Sequence, residues 1–233
     1  TTERKMFKLL STANPKTQKG TAKGYLTFIL HLAPADLSGY ETCPKRTAGC
    51  SAACLNTAGR GGMFKKGTNT NSVQQARIRK TKWFFEDRRA FMLELLHDIR
   101  KAVRFAHKRG LTPVFRLNGT SDLAWEKYTV DGYNVFELFP DVQFYDYTKV
   151  LGRKVADYPN YHLTFSRAED NYDDCMKAQK AGMNVAVVYD RIPDNVYSAD
   201  EDDLRFLDPF VALVGLKAKG RAKKDVSGFV VKT

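Results

Sequence analysis

The sequence predicts an α/β chain built on parallel strands with flanking helices, read as a single domain and an incomplete or irregular TIM-like barrel. Three observations predict it. Short apolar runs rich in β-branched and aromatic residues recur at strand length. They alternate with helical segments or long connections, as a parallel sheet requires. Each run is followed at once by polar residues, which in parallel α/β folds gather at the carboxyl ends of the strands, where sites form. No linker and no internal repeat divides the 233 residues. The expected organisation is a polar N-terminal arm over 1–24 and one α/β domain over 25–233 that carries a cysteine loop at 43–62.

The arm has no periodicity. Its stretch from Ser11 to Gly20 holds turn residues and reads as a flexible arm or a cap over a site. Tyr25 to Ala33 is the first strand, ended by Pro34 and Asp36. The cysteine loop follows, its glycines (Gly49, Gly59, Gly61, Gly62) permitting sharp turns. Met63 to Asn71 is a second polar loop with Lys65 and Lys66, and Ser72 is placed to cap a helix over Val73–Lys82. A longer helix runs from Asp87 to about Lys108. Phe91, Leu95, Ile99, Val103 and Ala106 mark its buried face at three- and four-residue steps, and Gly110 stops it. Strands are then expected at Pro113–Leu117, Val142–Tyr145, Tyr161–Phe165, Asn184–Tyr189 and Phe210–Val214, with a helix over Asp173–Ala181.

The chain is basic, with a formal net charge of +12. The excess is uneven: residues 60–109 hold 14 Lys or Arg against 4 Asp or Glu. A second basic run covers 217–224, just after the acidic Asp200, Glu201, Asp202 and Asp203. Such asymmetry points to a nucleotide or nucleic acid as partner, against the alternative of a solvated basic surface. The longest apolar run, Tyr25–Ala33, is far short of the roughly 20 residues of a membrane span. It also begins too late for a signal peptide, so a soluble, cytoplasmic protein without a membrane partner is expected.

Three of the four cysteines, Cys43, Cys50 and Cys54, fall within twelve residues of a strand-to-helix loop, where three thiols can converge. In a long chain that crowding favours metal ligation over disulfides. A structural zinc site normally closes with four ligands from two close pairs, and no second pair is present. Thiolates are the usual holders of a [4Fe–4S] cluster, and three of them leave one iron open. An iron–sulfur cluster leads, with zinc or no metal as alternatives. Cys175 is the candidate fourth ligand, but an outer-helix position makes a buried thiol the simpler reading. A strand, a three-cysteine loop and a helix in a parallel α/β chain resemble the layout of radical S-adenosylmethionine enzymes. Their usual spacing is Cys-x3-Cys-x2-Cys, and this chain has Cys-x6-Cys-x3-Cys. S-adenosylmethionine is thus a candidate cofactor by layout and not by motif.

Longer motifs carry a second resemblance. Residues 32–39, the cysteine loop from Cys43 to Gly61, Ala76–Lys80, Arg116–Asp122, Phe144–Lys149, Tyr161–Ser166 and Val214–Gly220 resemble the bacteriophage gene-product-88 family over nearly the whole chain. That resemblance implies a phage-encoded protein in the host cytoplasm and leaves the reaction open.

The remaining candidates lie after the strands. Arg116, Asn118, Ser121 and Asp122 offer charge and hydrogen bonds to a substrate, although Asn118-Gly119 is also a strong turn pair. Asp146 and Lys149 read as an ion pair or a phosphate contact, and Ser166 follows the next strand. Lys217 and Lys219, between Gly215 and Gly220, are a weak phosphate signal without P-loop order. Trp83, Phe84 and Phe85 beside Arg77, Arg79 and Lys80 read as core before base-stacking platforms. The expected function is an iron–sulfur protein acting on or binding a nucleotide or nucleic acid. The alternatives are a nucleic-acid-binding module with a structural metal and a phage factor that binds a host protein.

Overall fold

A computed structural model describes residues 7–12, 19–64, 67 and 71–233. The strands are β1 (Leu10–Ser11), β2 (Tyr25–Leu30), β3 (Thr112–Arg116), β4 (Thr129–Val130), β5 (Tyr133–Asn134), β6 (Gln143–Thr148), β7 (Tyr161–Ser166), β8 (Val185–Tyr189), β9 (Tyr197–Ser198) and β10 (Leu213–Lys217). The helices are α1 (Ala48–Ala52), α2 (Ser72–Glu86), α3 (Arg88–His107), α4 (Val135–Leu138) and α5 (Tyr172–Lys180).

Eight strands form one sheet in the order β1-β2-β3-β6-β7-β8-β10-β9, and β4 and β5 make a separate hairpin. From β2 to β10 each strand pairs in parallel with the next long strand in sequence. All six carboxyl ends therefore share one edge. The sheet is open and not a closed TIM-like barrel. Antiparallel β1 takes the free edge of β2, where a closing strand would have to pair, and β9 is the other edge.

Alternation along the strands gives the sheet two different faces. Phe28, Phe115, Phe144, Tyr161 and Leu163 point toward α3, whose Phe91, Leu95 and Ile99 are fully buried against them. Each such side chain contributes about 1.5–3 kcal/mol by leaving water. The opposite face is covered by the strap 199–208. Leu204 and Phe206 pack there on Tyr25, Val114 and Tyr145, while Ala199 meets Ala186 and Val214.

Local chemistry adjusts several expected boundaries. Asn71, not Ser72, caps α2: its side chain accepts from the Gln74 amide at 3.0 Å. Asp87 caps α3 through the Ala90 amide at 3.1 Å, and Gly110 follows at φ +67°. The last long strand begins at Leu213, because Val211 turns the chain at φ +52° and Phe210 is exposed. In the arm, Phe7, Leu9 and Leu10 are buried in the main core, and the Leu9 and Leu10 amides donate to Asp98 Oδ2. Residues 13–18 of the expected arm loop, and Lys65 and Lys66 of the second loop, lie outside the described residues. No helix among the described residues is long and apolar enough to cross a membrane.

Candidate functional site

The cysteine loop sits over the carboxyl edge of the sheet and is anchored from four directions. The loop after β3 holds its entry. The Asp122 amide donates to the Thr42 carbonyl at 2.8 Å, Thr120 Oγ1 to the Leu32 carbonyl at 2.5 Å, and the Gly119 amide to the Leu30 carbonyl at 3.0 Å. Gly119 must be glycine, since a Cβ there would stand 2.7 Å from that same carbonyl oxygen. From beyond β7, Glu169 clamps the start of α1. It accepts from Thr47 Oγ1 at 2.7 Å and from the Gly49 amide at 2.6 Å. These bonds hold its carboxyl below the usual range despite the opposing effect of burial. From the C-terminal segment, Ala218, Ala222, Phe229 and Val230 pack with Ala53, Ala168 and Cys50.

The loop's exit is held by α2. Arg77 donates from Nη1 to Asn56 Oδ1 at 2.5 Å, and Gln74 donates from Nε2 to the Gly61 carbonyl at 2.9 Å. Gly61 and Gly62 close this turn against the carbonyl oxygens of Asn56 and Thr57, where a Cβ would collide.

The three thiols share one neighbourhood. A charge on Cys54 disfavours ionisation of Cys43, and a charge on Cys50 disfavours that of Cys54. Two of the sulfurs accept backbone N–H groups, Cys43 from Ala35 at 3.4 Å and Cys54 from Asn56 at 3.5 Å. Ala35 reaches Cys43 from a left-handed turn at φ +52°. Burial pushes the Cys43 thiol up to about 11 and raises Cys54 as well, against the pull of Arg77 and Lys149 on Cys54. Among the described residues no three His, Cys, Asp or Glu side chains are gathered as a single bound ion would need. Sulfurs on one tetrahedral zinc at about 2.3 Å lie within about 4 Å of each other. N–H groups directed at cysteine sulfurs are what tunes an iron–sulfur cluster.

Cys175 lies on α5 in an apolar cluster with Phe165, Ala178, Val185, Val187 and Tyr189, and its thiol meets Asn171 Oδ1 at 3.5 Å.

The other sequence candidates divide by strand face. Lys149 and Ser166 meet directly, Lys149 Nζ donating to Ser166 Oγ at 3.0 Å, with the Phe229 ring 5.7 Å from the ammonium. Asp122 supports them: its Oδ2 accepts the Lys149 amide at 2.8 Å, and Oδ1 lies 3.7 Å from Arg153. Asn118 and Ser121 turn inward. Asn118 Oδ1 accepts from Ser121 Oγ, the Leu123 amide and Trp125 Nε1, so this constellation shapes the turn. Asp146 is not an ion-pair partner of the Lys149 side chain. It lies fully buried on the helix side of the sheet, accepting from the Asn118 amide at 2.8 Å and the Tyr161 hydroxyl at 3.1 Å, and burial pushes it up to about 7. Arg116 is turned under the strap and paired with Asp203 at 3.1 Å. Lys217 is exposed at the end of β10, its amide on Asp200, and Lys219 pairs with Asp200 at 3.5 Å.

Sequence reasoning missed three contributors. Arg77, Glu169 and His31 were not among the candidate site residues. His31 stands at the end of β2 near Arg77, Arg116 and Lys80, and burial followed by those charges pushes it down to about 3. None has a local motif; each acquires its place from a partner distant in sequence. The aromatic trio near Arg79 is engaged in packing. Phe84 is fully buried, Phe85 stacks on Tyr40, and Lys8 covers the Trp83 ring at 4.5 Å.

No curated protein and no solved structure matches the chain. The family model described as Gene product 88 matches residues 8–233. The chain therefore belongs to the gene-product-88 family, the phage family that its motifs resemble.

Proposed function

We propose that the protein is an iron–sulfur protein in which Cys43, Cys50 and Cys54 hold a [4Fe–4S] cluster at the carboxyl edge of the sheet. The proposed substrate class is a nucleotide or nucleic acid. The observation that carries the reading is the shared neighbourhood of the three thiols, with backbone N–H groups on two sulfurs and two cations beside Cys54. Bound there, the cluster would supply electron transfer and one iron without a cysteine, open to a small molecule.

The chain's own residues supply the rest. Arg77 and Lys149 stabilise the Cys54 thiolate, and Glu169 keeps α1 and Cys50 in register with the later strand ends. Lys149 and Ser166 present donors to a guest on the sheet edge. The sequential order of the parallel strands supports a partial-barrel reading in the layout of the radical S-adenosylmethionine enzymes. S-adenosylmethionine is then a ligand to test at the same edge.

The direct test is purification without air. A brown protein with a broad visible band that dithionite bleaches is expected. A colourless protein carrying one zinc would sink the proposal.

A second reading, a nucleic-acid-binding module, is favoured by one observation. Arg79, Lys82, Arg104 and Lys108 are exposed on α2 and at the end of α3 without a carboxylate partner among the described residues. It requires DNA or RNA affinity that falls steeply with salt. Affinity equal at low and high salt would exclude it.

A further inference from the structure

The basic run near the C-terminus is packed against the cysteine loop. Ala218 and Ala222 are buried in one cluster with Ala53, Ala168 and Cys50, which seats the 3-10 turn Gly220–Lys224 on the loop. The same turn packs on the 3-10 turn Leu55–Thr57, which starts next to Cys54. Gly220, at φ +57°, closes the seam: a Cβ there would stand 3.4 Å from the Ala58 Cα. Arg221 follows Gly220, and Arg60 lies two residues after Ala58, so cations from both segments flank one junction.

These charges are free where their neighbours are not. Lys219 pairs with Asp200 at 3.5 Å. Asp225, the acid next to Lys224, is turned inward: its Oδ1 accepts from Ser227 Oγ at 2.6 Å and its Oδ2 from the Val230 amide at 3.0 Å. Arg60, Arg221, Lys223 and Lys224 are exposed, without a carboxylate partner among the described residues. The packing thus holds four like charges on one rim against their mutual repulsion, which a polyanion relieves. Two of the four are lysines, a residue depleted from protein interfaces, whereas phosphodiester backbones take both lysine and arginine.

We infer that Arg60, Arg221, Lys223 and Lys224 form the phosphate-contacting face for a nucleic acid strand that crosses the cysteine loop. The inference deepens the proposed substrate class and rests on it. It places the contact beside Cys54 at the carboxyl edge and not on the helix layer. Arg104 and Lys108 are exposed too, but α3 ends just before β3 begins, which puts them at the opposite edge of the sheet.

The test is fluorescence anisotropy of the full chain, purified without air, with labelled single-stranded DNA, single-stranded RNA and duplex DNA at several salt concentrations. At least one probe is expected to bind, with a logarithmic affinity that falls linearly with the logarithm of salt. Arg221→Gln/Lys223→Gln/Lys224→Gln should weaken binding about tenfold or more and shrink the salt slope by about two to three. Arg60→Gln, on the other side of the seam, should weaken it about threefold. Lys82→Gln/Arg104→Gln/Lys108→Gln removes the same charge from the helix layer and should bind within about twofold of wild type. Loss confined to the helix-layer variant, or equal losses in the two triple variants, overturns this face and leaves the substrate class standing. Binding of none of the three probes by wild type overturns the substrate class and this face with it. Poly-glutamate displacing the bound probe as effectively as unlabelled nucleic acid assigns the face to an acidic protein and overturns the nucleic-acid inference.

Discussion

The interior beneath the strap and the rim around Cys54 both gather arginine and lysine, yet they treat the charge in opposite ways. Under residues 199–208, Arg116 and Arg205 meet Asp202, Asp203 and Asp208, and the Tyr145 hydroxyl reaches Asp203 at 3.4 Å. At the rim, Arg77 and Lys149 have only neutral hydrogen-bond partners among the described residues, and Arg167 donates to the carbonyls of Gly228 and Phe229 at 2.6 and 3.0 Å. A neutralised network fixes one arrangement of the chain and has no capacity left for a guest. A set of cations held by neutral groups keeps its positive field. The same sheet thus carries a closed polar core on one side and a receptive edge at its strand ends.

Breaking the closed network should produce the largest effect. Asp203→Ala leaves Arg116 buried with the Tyr147 ring as its remaining neighbour of note, and should cost about 3–5 kcal/mol in urea unfolding. Iron retained by the folded fraction should match wild type. Iron lost without loss of stability would erase the distinction between the two regions.

Glu169→Ala tests how the receptive edge is held. Removing the clamp leaves Thr47 and the Gly49 amide without their acceptor, a loss of about 1–3 kcal/mol. Chelators should also extract iron faster. An extraction rate equal to wild type would show that α1 is positioned by packing alone.

His31 reports burial at the rim first and the surrounding positive charges second. Its folded pKa lies below that of the unfolded chain, so the unfolded chain takes up the proton first as pH falls. The stability present above about pH 6.5 is therefore lost progressively toward the folded value of about 3. Between pH 6.5 and 5 the loss should be about 1–2 kcal/mol, and His31→Asn should flatten that slope. Equal slopes in the two proteins would show that the fold does not hold His31 neutral.

The smallest effect is expected at Cys175. Cys175→Ala removes one sulfur from an apolar cluster, should cost about 1 kcal/mol, and should leave iron content unchanged. Reduced iron in that variant would make Cys175 a ligand.

The places of Lys149 and Ser166 at the carboxyl edge were legible in the sequence because the signals are local. Each parallel strand holds an apolar run; Lys149 comes directly after β6, and Ser166 is the last residue of β7. The closed network was not legible, because its pairs join residues far apart in the chain. Asp203 reads as part of a solvated acidic patch until Arg116, 87 residues away, is placed opposite it. Asp146 and Tyr147 follow the expected strand Val142–Tyr145, yet both lie within β6, and the two-residue period sends Asp146 to the helix side and Tyr147 to the strap side. The arm looked detached because polar residues surround Phe7, Leu9 and Leu10. Their burial depends on Asp98 accepting the Leu9 and Leu10 amides, a contact without a local sequence signature.

The most direct measurement is iron, acid-labile sulfide and zinc per chain in protein purified without air, for wild type and for Cys43→Ser, Cys50→Ser and Cys54→Ser. About four iron and four sulfide are expected in wild type. Each serine variant should show a marked loss, and zinc should be near zero throughout. One zinc per chain without sulfide, or iron content unchanged by all three substitutions, would contradict a cluster at this edge.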